Sequence, residues 1–437
     1  NNTDPIIQNN NFVWDNINNR LGIGKTNPST TLDVSGNIMA TNIQIGAVLS
    51  AFVPREVIVM WSGSTASIPI GWAICDGTNS TPDLRNLFIY QVYVRNHSES
   101  GDFKGLIKDL DRIKNMGVDI VYLLPIHEIG QLKKKGSLGC PYSIKDYRSI
   151  NHVYGTLNDF KDLVSEVHRR DMRLMIDVVY NHTSHDSVLI NEHPEYFYKN
   201  DEGEFANRVG DWWDITDLDY NNSQDLWEEL IDTLLYWTSL GVDDYRFDVA
   251  SLLPLEFLEE AHERILDVNP STIFLSESVH GGFVHFLRNQ GYKALSENEI
   301  YQVFDMAYDY DTHPYFEAYL KGELPFKRYA EELKRQEEIY PDNYVKMRNL
   351  ENHDYGRFSP MVNNDIDKIN NWTALSFFSK GATMVYAGQE RLDKNRPDLF
   401  EIDKVNWNGP NITPLITKLA EITKDKSFSY GFYNIRT

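Results

Sequence analysis

The feature that most constrains the fold of this chain is a regular alternation of strand-like and helix-like segments that begins at Phe88. Eight apolar segments of strand length follow one another: FIYQVYV, VDIVYLLP, RLMIDVV, VDDYRFDV, TIFLSES, YQVFDMA, YVKMRNL and ATMVYAG. Uninterrupted apolar runs such as VDIVYLLP are typical of parallel strands that are buried on both faces. Helical patterns separate most of them, as in FKGLIKDLDRIKNMG, where Leu106, Leu110 and Ile113 recur at helical spacing before Gly117.

Two further segments strengthen the helical part of this pattern. TLNDFKDLVSEVHRRD opens with a capping box formed by Thr156 and Asp159, and SQDLWEELIDTLLYWTSLG has the length of a full helix. Eight strands with helices between most of them predict an α/β fold, the (β/α)8 barrel. An open, doubly wound parallel sheet has the same alternation and is the alternative that the pattern alone leaves.

The first 87 residues have a different character. They hold only ten charged side chains and are rich in Asn, Thr, Ser, Gly and Ile. Short apolar runs, TLDVSGNI, EVIVMW and GWAIC, are separated by the turn-forming stretches KTNPST, SGSTAS and CDGTNSTPD. This composition predicts a small, mainly β module that ends near Leu87.

One connection in the second part is longer than an ordinary loop between a strand and a helix. It runs from Thr183 to Asn222, between the third strand and the next long helix. We expect it to form a small excursion from the barrel, with Trp212, Trp213 and Tyr220 near its end.

Composition narrows the choice of partners. A net charge of -22 argues against nucleic acid and against an anionic membrane surface, since both are bound through Lys and Arg. No apolar run approaches the roughly 20 residues that span a bilayer. Aromatic rings are plentiful, with 9 Trp, 25 Tyr and 21 Phe, and they permit stacking against sugars. Cys75 and Cys140 lie in different predicted domains and are interpreted as free thiols.

Polar side chains cluster where the predicted strands end, and active sites of (β/α)8 barrels lie at those ends. These residues are Asp177, Asn181 and His182 in DVVYNH, Arg246 and Asp248 in YRFDVA, Glu277 in FLSES, and His353 and Asp354 in NLENHD. We therefore expect carboxylates from the fourth, fifth and seventh strands to converge on one face of the barrel.

Glycoside hydrolysis needs two carboxyl groups, one ionised and one protonated, and stabilisation of an oxocarbenium-like transition state. Arg246 lies on the same strand face as Asp248, so it is predicted to hold this carboxylate ionised, as a nucleophile requires. Neighbouring negative charge is predicted to raise the pKa of Glu277, which then serves as acid and base. His182 and His353 are placed to donate hydrogen bonds to sugar hydroxyls. Taken singly, each residue has an ordinary structural interpretation, and their joint occurrence favours a site.

The segments DVVYNH, GVDDYRFDVA, FLSES and NLENHD resemble, in order, four sequence blocks of the alpha-amylase superfamily, glycoside hydrolase family 13. DLDY and GATMVYAGQE resemble two more, so that the resemblance covers about residues 88–437. It implies retaining cleavage or transfer of alpha-glucosidic bonds with no cofactor needed for the chemistry. It also implies Asp248 as nucleophile, Glu277 as general acid and base, Asp354 as transition-state stabiliser, and Tyr142 of PYSIKDY as a sugar-stacking ring. The run from LLPIHEIG to GTLNDF resembles neopullulanase-like and maltodextrin-acting members.

The chain departs from this family in three places. Ser251 and Leu252 stand where the family often has Lys-His, so contacts with the leaving group are expected to differ. Asn181 and Asp219 match two calcium ligands of many members, which predicts a structural calcium whose other ligands are unidentified. The chain stops at Thr437, where family members continue into a C-terminal β-sandwich, and this domain is expected to be missing.

The first 87 residues resemble unrelated proteins. NNRLGIGKTNPSTTLDVSGNI, within residues 1–45, is similar to repeats of viral and phage fibre proteins, and residues 46–87 resemble the phage tail collar domain. The resemblance implies a trimeric attachment module ahead of a barrel over residues 88–437, with its excursion at 183–222. It predicts an extracellular or virion-associated protein, with a cytoplasmic one as the alternative.

Two hypotheses of function follow from these observations. The first is a retaining hydrolase of starch, maltodextrin or related alpha-glucans that cleaves mainly alpha-1,4 bonds. The second is a fibre protein with weak or no catalysis that keeps the barrel to bind glycans. Three carboxylates together with Arg246 favour the enzyme, because a binding module does not need them.

Overall fold

The computed structural model describes residues 12–15, 20–23, 32–34, 84–209, 211–221, 224–341, 343–425, 427–428 and 435. The chain divides into two compact units. In the N-terminal unit β1 (Phe12–Asp15) pairs antiparallel with β2 (Arg20–Ile23), which pairs parallel with β3 (Leu32–Val34). The third strand lies in the predicted run TLDVSGNI, whereas EVIVMW and GWAIC lie outside the described residues.

The second unit contains a closed barrel and, outside it, two short two-stranded sheets. Its strands are β4 (Phe88–Val92), β5 (Ile120–Leu123), β6 (Glu128–Ile129), β7 (Ile144–Asp146), β8 (Arg173–Val178), β9 (His182–Ser184), β10 (Ile215–Asp217), β11 (Asp244–Phe247), β12 (Phe274–Ser276), β13 (Met306–Tyr308), β14 (Lys346–Arg348) and β15 (Ala382–Tyr386). Eight of them close in the order β4, β5, β8, β11, β12, β13, β14, β15, with every neighbouring pair parallel. These are the eight predicted strands, so the (β/α)8 barrel is confirmed and the open sheet is wrong.

Helices cover the outside of the barrel because their apolar stripes need a surface to bury. They are α1 (Val94–His97), α2 (Phe103–Ile107), α3 (Leu110–Asn115), α4 (Leu157–His168), α5 (Val188–Glu192), α6 (Gln224–Ser239), α7 (Leu255–Leu266), α8 (Gly281–Asn289), α9 (Glu297–Ile300), α10 (His313–Leu320), α11 (Phe326–Ile339), α12 (Phe358–Met361), α13 (Ile366–Phe378) and α14 (Thr413–Thr423). None of the helices within the described ranges combines the length and the apolar character needed to span a bilayer.

Local contacts explain where α4 begins and where the chain breaks between α2 and α3. The predicted capping box starts α4: Thr156 Oγ1 accepts from Asp159 N at 3.2 Å, and Asp159 Oδ2 accepts from Thr156 N at 2.8 Å. The single helix predicted after the first barrel strand is instead divided into α2 and α3. The chain tightens between them, where Asp109 N donates to Leu106 O at 2.9 Å, and His97 holds the Asp109 carboxylate at 2.8 Å.

The predicted excursion is present beyond the third barrel strand. Its β9 and β10 pair antiparallel, with Asp217 opposite His182. Trp213 is exposed, and the Tyr220 hydroxyl donates to Tyr180 O at 2.7 Å. Beside the excursion, β6 and β7 form a second antiparallel pair. The excursion therefore builds a wall beside the carboxyl ends of the barrel strands.

Candidate active site

One buried guanidinium gathers the acidic groups at the carboxyl ends of the barrel strands. Arg246 Nη1 lies 2.7 Å from Asp177 Oδ1 and 3.0 Å from Asp248 Oδ1. Its Nη2 lies 2.9 Å from Glu277 Oε2 as an ion pair without hydrogen-bond alignment. Arg246 is fully buried, so these charges interact with little screening by solvent.

The strand register places these groups. Arg246 stands opposite Asp177 in the pairing of β11 with β8. At the strand ends, Asp248 N donates to Val178 O at 2.9 Å and Glu277 N donates to Phe247 O at 3.0 Å. The predicted convergence of strands four and five is therefore confirmed, and the backbone ladder of the barrel produces it.

The backbone of the turn after Asp248 is strained, and its N–H points to Glu277. Val249 has φ 36° and ψ 45°, a left-handed conformation that β-branched residues rarely adopt. In this conformation Val249 N donates to Glu277 Oε2 at 2.7 Å. Strain of this kind persists only where the surrounding structure enforces it, and it is concentrated at functional sites.

Asp177 is a member of the cluster to which sequence reasoning assigned no role. Its Oδ2 accepts from the hydroxyls of Tyr122 at 2.8 Å and Tyr142 at 2.9 Å, while Oδ1 faces Arg246. Burial raises the pKa of Asp177, and the charge of Arg246 opposes this shift. The pairing of the two strands, had it been known, would have placed this carboxylate beside Arg246.

The pKa of Asp248 shifts against expectation. Burial raises it well above its ordinary value, and the neighbouring Glu277 adds to the rise, while Arg246 opposes it. The sequence predicts that Arg246 keeps Asp248 ionised. Burial and the second carboxylate together outweigh the guanidinium in their effect on this pKa.

His353 lies between a tyrosine and a glutamine. Its Nε2 is 2.6 Å from the Tyr142 hydroxyl, its Nδ1 is 3.1 Å from Gln91 Nε2, and the Tyr142 ring stacks on it at 5.4 Å between centroids. Burial lowers the pKa of His353 to about 4, which leaves the imidazole neutral at pH 7. Sequence reasoning missed Gln91, which belongs to β4 and has no distinguishing motif.

Asp354 is the most accessible of the three predicted catalytic carboxylates. Its side chain is 40% exposed, against 10% for Asp248 and for Glu277. Its Oδ2 accepts from the Tyr310 hydroxyl at 3.3 Å and lies 3.4 Å from His353 Nε2. A group in this position can approach a bound sugar while its two partners stay in the floor of the site.

His182 lines the excursion side of the site. It is buried, with its ring 5.8 Å from that of Trp212. Burial lowers its pKa to about 4.

The departure from the family pattern at Ser251 and Leu252 also has a structural counterpart. Ser251 Oγ accepts from Val279 N at 3.2 Å, and Leu252 packs in an apolar cluster with Val279. The loop that follows Asp248 thus contacts the loop that follows Glu277.

The residues predicted to bind calcium do not form a donor set that fits this ion. The amide nitrogen of Asn181, a donor, lies 3.5 Å from Asp217 Oδ1. Asp219 Oδ1 lies 3.5 Å from Arg208 Nη2, and Asp217 Oδ2 lies 3.4 Å from Arg208 Nη1. Calcium requires six to eight oxygen ligands. In the part of the chain that the structure describes, no group of three or more His, Cys, Asp or Glu residues is arranged to hold a metal.

Comparisons with known proteins agree with this architecture. The structure is similar to an alpha-amylase from Lactobacillus plantarum, with 48% identity, TM-score 0.78, and coverage of 80% of this chain and 82% of that one. It is also similar to a maltogenic alpha-amylase from Thermotoga neapolitana, with 34% identity, TM-score 0.71, and coverage of 79% and 78%.

Among curated proteins, an alpha-1,4-glucan:maltose-1-phosphate maltosyltransferase from Picrophilus torridus is 29% identical over 264 residues, 54% of this chain and 41% of the relative. A trehalose-6-phosphate hydrolase from Bacillus subtilis is 29% identical over 40% of this chain and 37% of its own. The matched part of the chain spans about two fifths of the length of these two relatives.

A closed parallel barrel with carboxylates gathered at the carboxyl ends of its strands is the architecture of a (β/α)8-barrel enzyme. Residues 86–427 match the alpha amylase catalytic domain, and the chain belongs to this family. The resemblance of residues 1–87 to fibre and collar proteins stays a prediction, as do the boundaries drawn within that part.

Proposed function

We propose that the barrel is a retaining glycoside hydrolase that cleaves alpha-glucosidic bonds, mainly alpha-1,4, in starch, maltodextrin or related alpha-glucans. The observation that carries the proposal is the single guanidinium of Arg246, which contacts both Asp248 and Glu277. An inverting enzyme keeps its carboxyl groups about 6.5–9.5 Å apart to admit a water molecule, whereas a retaining one holds them closer. Two carboxylates on one guanidinium favour the retaining arrangement.

In this mechanism Asp248 attacks the anomeric carbon while Glu277 gives its proton to the glycosidic oxygen. The bond between the anomeric carbon and that oxygen breaks, and a glycosyl ester forms on Asp248. Glu277 then takes a proton from water, the water oxygen attacks the same carbon, and the ester bond to Asp248 breaks. The cycle needs one proton and one negative charge in the pair, with the proton on Glu277 and the charge on Asp248 at the first step.

The neutral histidines suit the same reaction. With pKa values of about 4, His182 and His353 are uncharged at pH 7. The neutral imidazole of His182 can donate a hydrogen bond to a sugar hydroxyl, whereas the single N–H of neutral His353 is donated to Tyr142. Neither ring places positive charge beside an oxocarbenium-like transition state. Tyr142 supplies an aromatic ring against the sugar, and the exposed carboxylate of Asp354 supplies negative charge.

The test is the release of reducing sugar from maltodextrin, starch and pullulan. We expect the parent to be active and Asp248→Asn to be inactive. Asp232→Asn is the matched control, because Asp232 on α6 has a 60% exposed side chain outside the site. The anomer released first, followed by NMR, should be the alpha form. Release of the beta form would contradict retention, and a folded parent that binds glucan but releases nothing would support the glycan-binding hypothesis.

A second assay separates the two carboxylates. An alpha-maltosyl fluoride needs no proton on its leaving group, so Glu277→Gln should form the glycosyl ester from it and then turn over slowly. On maltodextrin the same variant should lose about 10²–10⁴-fold in rate. Asp248→Asn should form no ester from either substrate. Equal behaviour of the two variants on the fluoride would contradict the assignment of roles.

We also propose that residues 1–87 form a trimeric attachment module of an extracellular or virion-associated protein. The fibre-like and collar-like motifs support this assignment. Light scattering on the full chain should give three times the mass of one chain, and removal of residues 1–87 should give a monomeric barrel. A monomeric full chain would contradict the proposal.

A further inference from the structure

Arg208 is surrounded by oxygen atoms where the excursion meets the barrel. Its Nη1 lies 3.4 Å from Asp217 Oδ2 and donates to Leu218 O at 3.1 Å, and its Nη2 lies 3.5 Å from Asp219 Oδ1. Its backbone nitrogen donates to Asp217 Oδ2 at 2.8 Å. The guanidinium also lies over the ring of Tyr198, 4.4 Å from its centroid. Two carboxylates and a carbonyl are the kinds of oxygen that hard cations use.

These oxygens lie directly behind two residues of the site. Asp217 stands opposite His182 in the pairing of β9 with β10, and Leu218 N donates to Asn181 O at 3.0 Å. Asp217 is only 2% exposed and Asn181 is 6% exposed. Two acidic groups held this close, one of them buried, repel each other unless a positive charge stands between them. The nearby guanidinium of Arg208 supplies that charge.

We propose that Arg208 takes the place of a structural metal within the excursion, so that the segment around Asp217 and Asp219, which pairs with His182, is held by a side chain of the protein. A planar guanidinium reaches both carboxylates at once and stacks on Tyr198, whereas an ammonium group would act as a point charge. A cation that is part of the chain is never lost by dilution or chelation. The order of the wall beside His182 is therefore independent of the free calcium concentration.

The first arm of the test measures stability and does not depend on the proposed activity. Thermal unfolding of the parent is followed in EDTA, in sodium chloride and in calcium chloride at equal ionic strength. We expect the same midpoint in all three. A parent midpoint that falls in EDTA or rises in calcium would overturn the proposal.

The second arm removes the guanidinium. Arg208→Ala should lower the midpoint by about 5 °C or more and speed proteolysis within the excursion, because Asp217 and Asp219 lose their common cation. Calcium, and not sodium at equal ionic strength, should restore part of the loss by binding between the two freed carboxylates. The double variant Arg208→Ala with Asp219→Asn should lose the calcium response.

Arg335→Ala is the matched control, since Arg335 on α11 is 60% exposed and pairs with Glu332 on the same helix. An Arg208→Ala variant that behaves like this control, or that is destabilised yet gains nothing from calcium, would overturn the proposal. If Arg208→Ala does not fold, Arg208→Gln takes its place. The glutamine variant, which keeps much of the side-chain length without the charge, should have a lowered midpoint in EDTA and sodium chloride and should regain part of it in calcium, and no response would overturn the proposal.

The third arm rests on the proposed function. In Arg208→Ala without calcium, KM for maltodextrin should rise more than kcat falls, because His182 is displaced while the carboxylates around Arg246 stay in place. Failure of the proposed function would show as no turnover by the parent. Failure of the present inference would show in the unfolding midpoints of a parent that turns over normally.

Discussion

Replacing Arg246 with methionine would remove the charge that three acidic side chains share. Methionine keeps much of the length and volume of the side chain, so the change is mainly electrostatic. Arg246 and Asp177 are fully buried, and Asp248 and Glu277 are nearly so. Removing one partner of a buried ion pair costs about 3–5 kcal/mol of unfolding free energy. The three contacts do not add, because a carboxyl that loses its partner can take up a proton.

The pH dependence of the unfolding free energy identifies the loss of the Arg246 charge as the cause. Arg246 lowers the pKa values of Asp177 and Asp248 against the effect of burial, so its loss raises both folded-state values further above those of the unfolded chain. A raised folded-state pKa gives stability that is present at low pH and is lost as the pH rises through that value. The variant therefore keeps a proton at pH values where the parent has released it, and there its deficit grows by about 1.4 kcal/mol per pH unit for each extra proton.

The assay is urea unfolding followed by tryptophan fluorescence between pH 6 and 9. Parent, Arg246→Met and the surface control Arg335→Met are compared at each pH. We expect the control to follow the parent and Arg246→Met to fall further below it as the pH rises. An unfolding free energy within about 1 kcal/mol of the parent at pH 7, or parallel curves for the two proteins, would refute the reasoning.

Three further predictions concern stability. Thr156→Ala removes the cap of α4, where Asp159 N is bound, and should cost about 1 kcal/mol in urea unfolding, while Thr156→Ser should cost little. Gly381 has φ +127°, and an added Cβ would lie 2.1 Å from Lys346 O, so Gly381→Ala should cost about 3 kcal/mol or more, and a cost under 1 kcal/mol would contradict the steric argument. Burial raises the pKa of Asp305 to about 7, so the parent should lose about 1.4 kcal/mol per pH unit from this group as the pH rises from about 4 to 7, and Asp305→Asn should lack that slope; identical slopes would disprove it.

Much of the architecture could be predicted from local sequence. Burial on both faces demands apolar strands, and amphipathic helices repeat their apolar residues at helical spacing, so the eight strands could be recognised from the sequence alone. The capping box of Thr156 and Asp159 is equally local and formed as predicted. Local patterns were less reliable at breaks. The segments α2 and α3 were predicted as one helix, and the contacts of His97 and Arg112 with Asp109 show how the chain is held at the break.

The proximity of Asp248 and Glu277 was predicted from the sequence, their catalytic roles stay predictions, and their electrostatics was predicted only in part. Asp248 and Glu277 were recognised from strand ends and from resemblance, because both depend on short stretches of chain. The direction of the Asp248 pKa shift was wrong, because it depends on how much water the closed barrel excludes and on the approach of a second carboxylate. Asp219 was assigned to calcium from its motif, and the ion pair with Arg208 could not be inferred from spacing.

The sequence by itself determined which segments become strands and helices, where the chemistry-bearing residues stand along them, and the family to which they point. Only the tertiary structure decided that Gln91 faces His353 across 262 positions of chain and that Asp177 shares Arg246 with Asp248. It also decided that the cation beside Asp217 and Asp219 is Arg208. The reason is physical. Periodicity and capping arise from neighbours within a few residues, whereas contacts and pKa values at the site arise from barrel closure, whose register brings distant strands side by side and removes their solvent.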